Sequence, residues 1–122
     1  MEIQFAIEKQ TRNAFSSVQE PFNYKTAFSR NIGIFTEAEQ SRIHRSSVAI
    51  AGMGGLGGLY ALAMARMGIG SFCIADGDTF EIANFNRQMG GTVSSTGKNK
   101  AAVMHDSILD INPGAMIRAW NE

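Results

Sequence analysis

Five of the thirteen glycines in this 122-residue chain fall within the seven residues GMGGLGG, from position 52 to position 58. The first six satisfy G-x-G-x-x-G, in which successive glycines allow a tight turn, close approach of the backbone to phosphate, and packing of a helix on a strand. Phosphate would lie on the free N–H groups at the helix N-terminus. Asp76 follows by about 20 residues, a spacing at which its carboxylate can bind ribose hydroxyls. The predicted nucleotide-binding residues are Gly52, Gly54, Gly55, Gly57 and Asp76.

A group of polar side chains that follow Asp76 in the sequence helps to distinguish between the possible nucleotide ligands. Asn84 and Arg87 lie in NFNRQ, and Lys100 ends GKNK. NAD(H) does not require these side chains, because the helix N-terminus already holds its two phosphates. A triphosphate needs further cations, and arginine binds phosphate bidentately. The glycine loop alone leaves NAD(H) and ATP open, and the added residues favour ATP. Because no Lys-Ser/Thr pair follows the glycines, the loop is not a P-loop.

The elements that must position these residues alternate between strands and helices. The pattern predicts helices over 36–45, 59–67 and 98–111, and strands over 47–51, 72–75 and 115–120. Residues 79–96 are expected to be irregular. This alternation implies a parallel sheet with right-handed crossovers. We therefore expect an α/β fold, the first βαβαβ half of a Rossmann-like sheet with a helical N-terminal lead-in.

The chain divides into two predicted segments. Residues 1–35 hold five of the eight phenylalanines without a sustained hydrophobic period, so they are either an arm that packs on another surface or a helical lead-in. Residues 36–122 are expected to be the N-terminal half of a nucleotide-binding domain. Because half a sheet leaves an edge and a face uncovered, we expect the chain to be a piece of a longer polypeptide or to self-associate.

Composition argues against several classes of partner. Eleven basic and eleven acidic residues give no net charge, and hence no long-range attraction to nucleic acid or to an anionic membrane. A lone cysteine cannot form an intramolecular disulfide or a cysteine-cluster metal site, and Cys73 is expected to be a buried core thiol. No secretory signal or membrane-spanning segment is recognisable. We expect a cytoplasmic protein without nucleic-acid or membrane partners.

Several motifs in order resemble those of a known family. They are G-x-G-G-x-G, D-x-D, N-x-x-R-Q, G-x-x-K and I-N-P, and the resemblance covers Arg30 to about Ile117. The pattern is similar to the ThiF/MoeB/HesA family, the ubiquitin-activating-enzyme-like adenylyltransferases. The resemblance implies an enzyme that uses ATP and Mg²⁺ to adenylate the C-terminal carboxylate of a ubiquitin-like or sulfur-carrier protein. It also implies a homodimer.

The resemblance assigns roles to individual residues. The four loop glycines would bind the nucleotide, and Asp76 would hold its ribose. Asn84, Arg87 and Lys100 match positions that contact the triphosphate, with Arg87 and Lys100 taking part in catalysis. Arg30 resembles a catalytic arginine that reaches the γ-phosphate from the other subunit of a dimer. The family usually has Arg-Gln at this point, and Asn31 departs from that pattern.

Parts of the family's site have no counterpart in this sequence. The aspartate that binds magnesium would lie beyond Glu122, so we assign no metal ligand here and expect this chain alone to be inactive as an adenylyltransferase. Two alternatives remain open. One is an NAD(P)-binding Rossmann module of a dehydrogenase or sensor, which leaves Arg87 and Lys100 unexplained. The other is a non-catalytic scaffold that acts as a dimer partner.

Overall fold

A three-stranded parallel sheet forms the centre of the molecule. The computed structural model describes residues 20–122, so residues 1–19 of the predicted segment 1–35 lie outside the described residues. The strands pair in the order β1-β2-β3, and both neighbouring pairs are parallel. This arrangement confirms the expected α/β half-sheet. The strand bounds are Ser47–Ala51 for β1, Ser71–Ala75 for β2 and Met116–Trp120 for β3.

The described part of the chain also contains α-helices and short 3₁₀ turns. Helix α3 begins four residues before the predicted start at 59, since glycine at position 57 lets its first turn lie against Gly52 and Ile50. None of these helices is long and apolar enough to cross a bilayer. The helices are α1 (Tyr24–Ala27), α2 (Glu37–His44), α3 (Gly55–Met67) and α4 (Lys100–Ile111), and the 3₁₀ turns are Ser29–Asn31, Ile82–Asn84 and Val93–Ser95.

Helices α3 and α4 cover one face of the sheet. Alternate strand residues, such as Phe72 and Ile74, point into this interface because side chains alternate between the two faces of a strand. Burial of this apolar surface is the main stabilising contribution to the fold. The buried apolar side chains of this cluster are Met53, Ala61, Ala65, Ile69, Phe72, Ile74, Phe80, Ala101, Met104 and Ile108.

The opposite face of the sheet is more open. Ala49 and Arg118 are register partners of Cys73, and both are exposed. Cys73 itself is half-buried. The expectation of a buried core thiol is therefore wrong, because the described helices cover only the other face.

A predicted capping box begins α2. The Thr36 hydroxyl accepts a hydrogen bond from the Glu39 backbone N–H at 3.2 Å, and the Glu39 carboxylate accepts one from the Thr36 backbone N–H at 2.7 Å. The backbone N–H of Thr36, followed by its hydroxyl, stabilises the ionised carboxylate and lowers the pKa of Glu39 below its usual value. The helix therefore begins where the sequence pattern predicts.

The N-terminal region is tied to the C-terminal end of α3. The Tyr24 hydroxyl donates to the Gly68 carbonyl at 2.6 Å, and the Gln40 amide donates to the Met67 carbonyl at 2.9 Å. Burial raises the pKa of the Tyr24 phenol, and its hydrogen bond with Gln40 opposes that rise. Asn31 also donates to the Met67 carbonyl, at 3.1 Å. Residues 24–31 thus form a helical lead-in that caps α3, while the domain boundary after residue 35 stays a prediction.

Candidate nucleotide-binding site

The glycine loop connects β1 to α3, and its glycines serve the fold in different ways. Gly52 has a φ of 89°, a left-handed conformation that side chains disfavour. A Cβ at Gly57 would overlap the carbonyl oxygen of Gly52 and lie 2.8 Å from its carbonyl carbon. By contrast, a Cβ at Gly54 or Gly55 would meet the nearest described atoms no closer than 3.8 Å. The fold therefore needs glycine at 52 and 57, whereas Gly54 and Gly55 leave backbone open to a ligand.

The first turn of α3 is open to an anion. Gly54 is the N-cap and supplies no side-chain hydrogen bond. The N–H of Gly52 already donates to the Ala75 carbonyl at 2.7 Å, and that of Gly58 donates to Gly54 at 3.1 Å. The N–H groups of residues 54–57 lie at the positive end of the helix dipole. A phosphate is the kind of group that such a turn binds.

Asp76 connects the glycine loop to the turn after β2. One carboxylate oxygen accepts from the Met53 N–H at 2.6 Å, and the other accepts from the Asp78 N–H at 2.8 Å. The carboxylate is half-buried. Each oxygen keeps acceptor capacity for a hydroxyl donor, because an ionised carboxylate accepts about four hydrogen bonds. The Asp76 carboxylate could therefore accept from ribose hydroxyls beside the loop, and this role stays a prediction.

A polar cavity of about 290 Å³ is lined in part by Arg87 and Gln88, and both of these residues also lie beside the glycine loop. Lys100 begins α4, and its side chain reaches into the cavity although the residue is only 7% exposed. Its ammonium nitrogen is 3.6 Å from a carboxylate oxygen of Asp78 and 5.9 Å from the centre of the Phe80 ring. A buried cation with one distant partner favours binding of a further anion. The lining residues are Asp78, Thr79, Glu81, Asn84, Arg87, Gln88 and Lys100.

The predicted phosphate-contacting residues share this cavity. Asn84 accepts from the Glu81 N–H at 2.8 Å, which orients its amide. Arg87 is exposed, and its guanidinium donates to the carbonyl of Ala83 and to the side chain of Asn86, each at 3.1 Å. The structure thus brings Asn84, Arg87 and Lys100 together, and their contact with a triphosphate stays a prediction. Sequence reasoning missed Gln88, although that residue ends the N-x-x-R-Q motif.

Arg30 lies apart from this cavity in its own chain. It belongs to the turn Ser29–Asn31, whose last residue bonds to Met67 at the C-terminal end of α3. The glycine loop is at the other end of that 13-residue helix, about 20 Å away along its axis. Asn31 is the residue that departs from the family's Arg-Gln pattern, and here its side chain caps the C-terminal end of α3. The role of Arg30 in the site of a second subunit stays a prediction.

Most of the chain matches a known protein family. Residues 28–122 match the sequence profile of the ThiF family. The chain belongs to the ThiF family. This membership confirms the family expected from the motifs.

Relatives of this ThiF-family chain have several named activities. The probable molybdopterin-synthase adenylyltransferase of Porphyra purpurea is 38% identical over 82 residues, which are 67% of this chain and 22% of that protein. Ubiquitin-like modifier-activating enzyme 5 of Caenorhabditis elegans is 35% identical over 101 residues, which are 83% of this chain and 23% of that protein. The ThiF-family chain therefore spans less than a quarter of the length of these two relatives.

A solved structure gives the same fold. The ATP complex of the E. coli tRNA N6-threonylcarbamoyladenosine dehydratase TcdA superposes with a TM-score of 0.80 at 28% identity. The match covers 86% of this ThiF-family chain and 43% of the TcdA chain. This similarity confirms a Rossmann-like fold. It also shows that TcdA, a protein with the same fold, has been crystallised with ATP.

Proposed function

We propose that this ThiF-family chain binds ATP and supplies the ATP-binding half of an adenylyltransferase. Its substrate would be the C-terminal carboxylate of a ubiquitin-like or sulfur-carrier protein. The observation that carries this proposal is the buried ammonium of Lys100, which shares a cavity with Arg87 beside the open first turn of α3. An NAD(P)-binding module gives these two cations no role, and a scaffold without catalysis gives them none either.

The chemistry of adenylation fits these residue types. A carboxylate that attacks the α-phosphate is already ionised, so the reaction needs alignment and charge neutralisation more than a base. Backbone at Gly54 and Gly55 would bind phosphate, and Asp76 would fix the ribose. Arg87 and Lys100 would neutralise the charge that develops on the leaving pyrophosphate.

Magnesium fits this proposal as an ion held mainly by the nucleotide. Carboxylate oxygens suit Mg²⁺, and Asp78 and Glu81 line the cavity. Within residues 20–122, however, no group of three or more acidic, histidine or cysteine side chains could hold a metal. On the family resemblance, we propose that the ion's principal protein ligand lies outside the described residues. When bound, Mg²⁺ would supply neutralisation of phosphate charge.

A second subunit is part of the proposal. Arg30 is exposed and lies near the end of α3 that is remote from the glycine loop. In a homodimer it would complete the site of the partner copy rather than its own. The carrier protein would then meet a site built from two copies of the chain.

A second candidate function is modification of tRNA. The similarity to TcdA in its ATP complex favours it. A threonylcarbamoyl group carries a free carboxylate, so the same activation by ATP would serve this substrate. In that case the expectation of no nucleic-acid partner, which rests on zero net charge, would be wrong.

Pyrophosphate exchange tests whether this chain holds only half of the site. We expect the 122-residue chain, with either candidate substrate, to exchange labelled pyrophosphate into ATP at background level, because it would bind ATP without a complete substrate groove. E. coli TcdA, assayed in parallel, is the longer control. Exchange by the chain at the rate of this control would contradict the half-site proposal, and the substrate that supports it would identify the function.

A further inference from the structure

Gln88 occupies the space between the glycine loop and the polar cavity. The residue is only 8% exposed, yet it lines the cavity beside Arg87 and Lys100. A Cβ at Gly54 would lie 3.8 Å from the amide carbon and the amide nitrogen of Gln88, and 3.9 Å from its oxygen. The amide group is therefore within van der Waals reach of the backbone that is open to a ligand.

The amide oxygen of Gln88 is buried and has no hydrogen-bond partner within residues 20–122. Buried polar atoms are nearly always paired, and an unpaired one is costly. In the described part of the chain, the side-chain oxygen of Asn112 is also buried and unpaired. The Asn112 amide nitrogen, however, already donates to the Ile69 carbonyl at 3.3 Å, and Asn112 does not line the cavity. Gln88 thus differs from Asn112 in facing a cavity that a ligand can enter.

We infer that the Gln88 amide binds the nucleotide directly, at the phosphate that lies on Gly54. This inference rests on the proposed ATP function. A glutamine amide can present either its N–H₂ or its oxygen at one position, because a half turn of the terminal torsion exchanges them. With the N–H₂ turned towards the loop, it donates to a phosphate oxygen. The amide oxygen then points into the cavity, where Arg87 and water can donate to it.

If Gln88 only stabilised the fold, replacing its side chain would lower the stability of the nucleotide-free protein. Within residues 20–122, no hydrogen bond from the Gln88 side chain holds the loop. Methionine has a similar length and volume and carries no hydrogen-bonding amide. Gln88→Met therefore removes an unpaired buried group, which leaves the protein without nucleotide as stable as before or more stable. Binding of the nucleotide weakens at the same time.

Gln40 offers a matched control. It is a buried glutamine, 7% exposed, but its amide is hydrogen bonded to Met67, Tyr24 and Asn31. It lies at the opposite end of α3 from the glycine loop. Gln40→Met removes paired bonds, so it lowers the melting temperature of the nucleotide-free protein. The affinity of the folded protein for ATP stays unchanged.

Calorimetric titration with ATP-Mg, together with melting curves without nucleotide, tests the inference on the wild-type chain and both variants. We expect Gln88→Met to raise the Kd for ATP by about 10-fold with no loss of melting temperature. A Kd equal to that of the wild type would overturn the inference, as would a melting temperature lowered as much as in Gln40→Met. A wild-type chain that fails to bind ATP would instead refute the proposed function on which the inference rests.

Discussion

Gly57→Ala is expected to be strongly destabilising, with a loss of about 3 kcal/mol or more in the free energy of unfolding. The added Cβ overlaps the carbonyl oxygen of Gly52, which is backbone and cannot rotate away. The loop between β1 and α3 must open to relieve the overlap. Thermal denaturation should show a melting temperature lowered by roughly 10–20 °C. Binding of ATP should be lost with the loop geometry.

Gly55→Ala is the matched control for this prediction. The added Cβ meets the Arg87 carbonyl oxygen at 3.8 Å, an ordinary contact. Position 55 is the first residue of α3, and alanine has a higher helix propensity than glycine. We expect an unchanged or higher melting temperature and weaker ATP binding, since the Cβ projects where phosphate approaches. Equal destabilisation by the two substitutions would contradict the different functions given to these glycines.

Lys100→Met is expected to raise the Kd for ATP by about 10- to 100-fold, the cost of losing a charge-assisted hydrogen bond to phosphate. Methionine keeps most of the apolar stem of Lys100, whose ammonium nitrogen lies 5.9 Å from the centre of the Phe80 ring. Asp78 is left without its cation, but its side chain is 80% exposed and remains hydrated. The melting temperature without nucleotide should therefore hold or rise, since the buried ammonium carries a desolvation cost.

Lys98→Met serves as the control for charge alone. Lys98 is exposed and does not line the polar cavity that contains Lys100. Both substitutions remove one positive charge from the same short segment, so a general electrostatic effect would weaken ATP binding equally. We expect the affinity of Lys98→Met to stay within about twofold of the wild type. Calorimetric titration at one fixed salt concentration measures both variants, and matching losses would refute a specific role for Lys100.

Local patterns predicted most of the fold. The bounds of β1 agree at both ends, and the capping box at Thr36 sets the start of α2. The sequence pattern does not show where α3 starts, because glycine has a low helix propensity. In the folded chain the first turn of that helix packs closely on β1. The burial of Cys73 is not predictable in the same way, because the sequence of an apolar strand does not reveal which of its two faces is covered.

The site was predictable only where its residues form contiguous motifs. The motifs named the glycines, Asp76, Arg87 and Lys100, and the structure places the last two in one cavity. Spacing could not distinguish the glycines that the fold needs from those that it leaves free, because that difference depends on neighbours such as Gly52 and Gln88. Gln88 ends the N-x-x-R-Q motif, but its neutral amide gives no charge signal in the sequence, and only the structure shows that the amide oxygen is buried and unpaired.

Thermal stabilisation by added nucleotide shows whether this cavity binds a nucleoside triphosphate. Melting temperatures of the wild-type chain and of Arg87→Ala are measured with increasing ATP-Mg and, separately, with increasing NADH. We predict that ATP-Mg stabilises the wild type, that Arg87→Ala abolishes most of this stabilisation, and that NADH has no effect on either protein. Stabilisation by NADH alone, or stabilisation by ATP-Mg that Arg87→Ala leaves intact, would contradict triphosphate binding by this cavity.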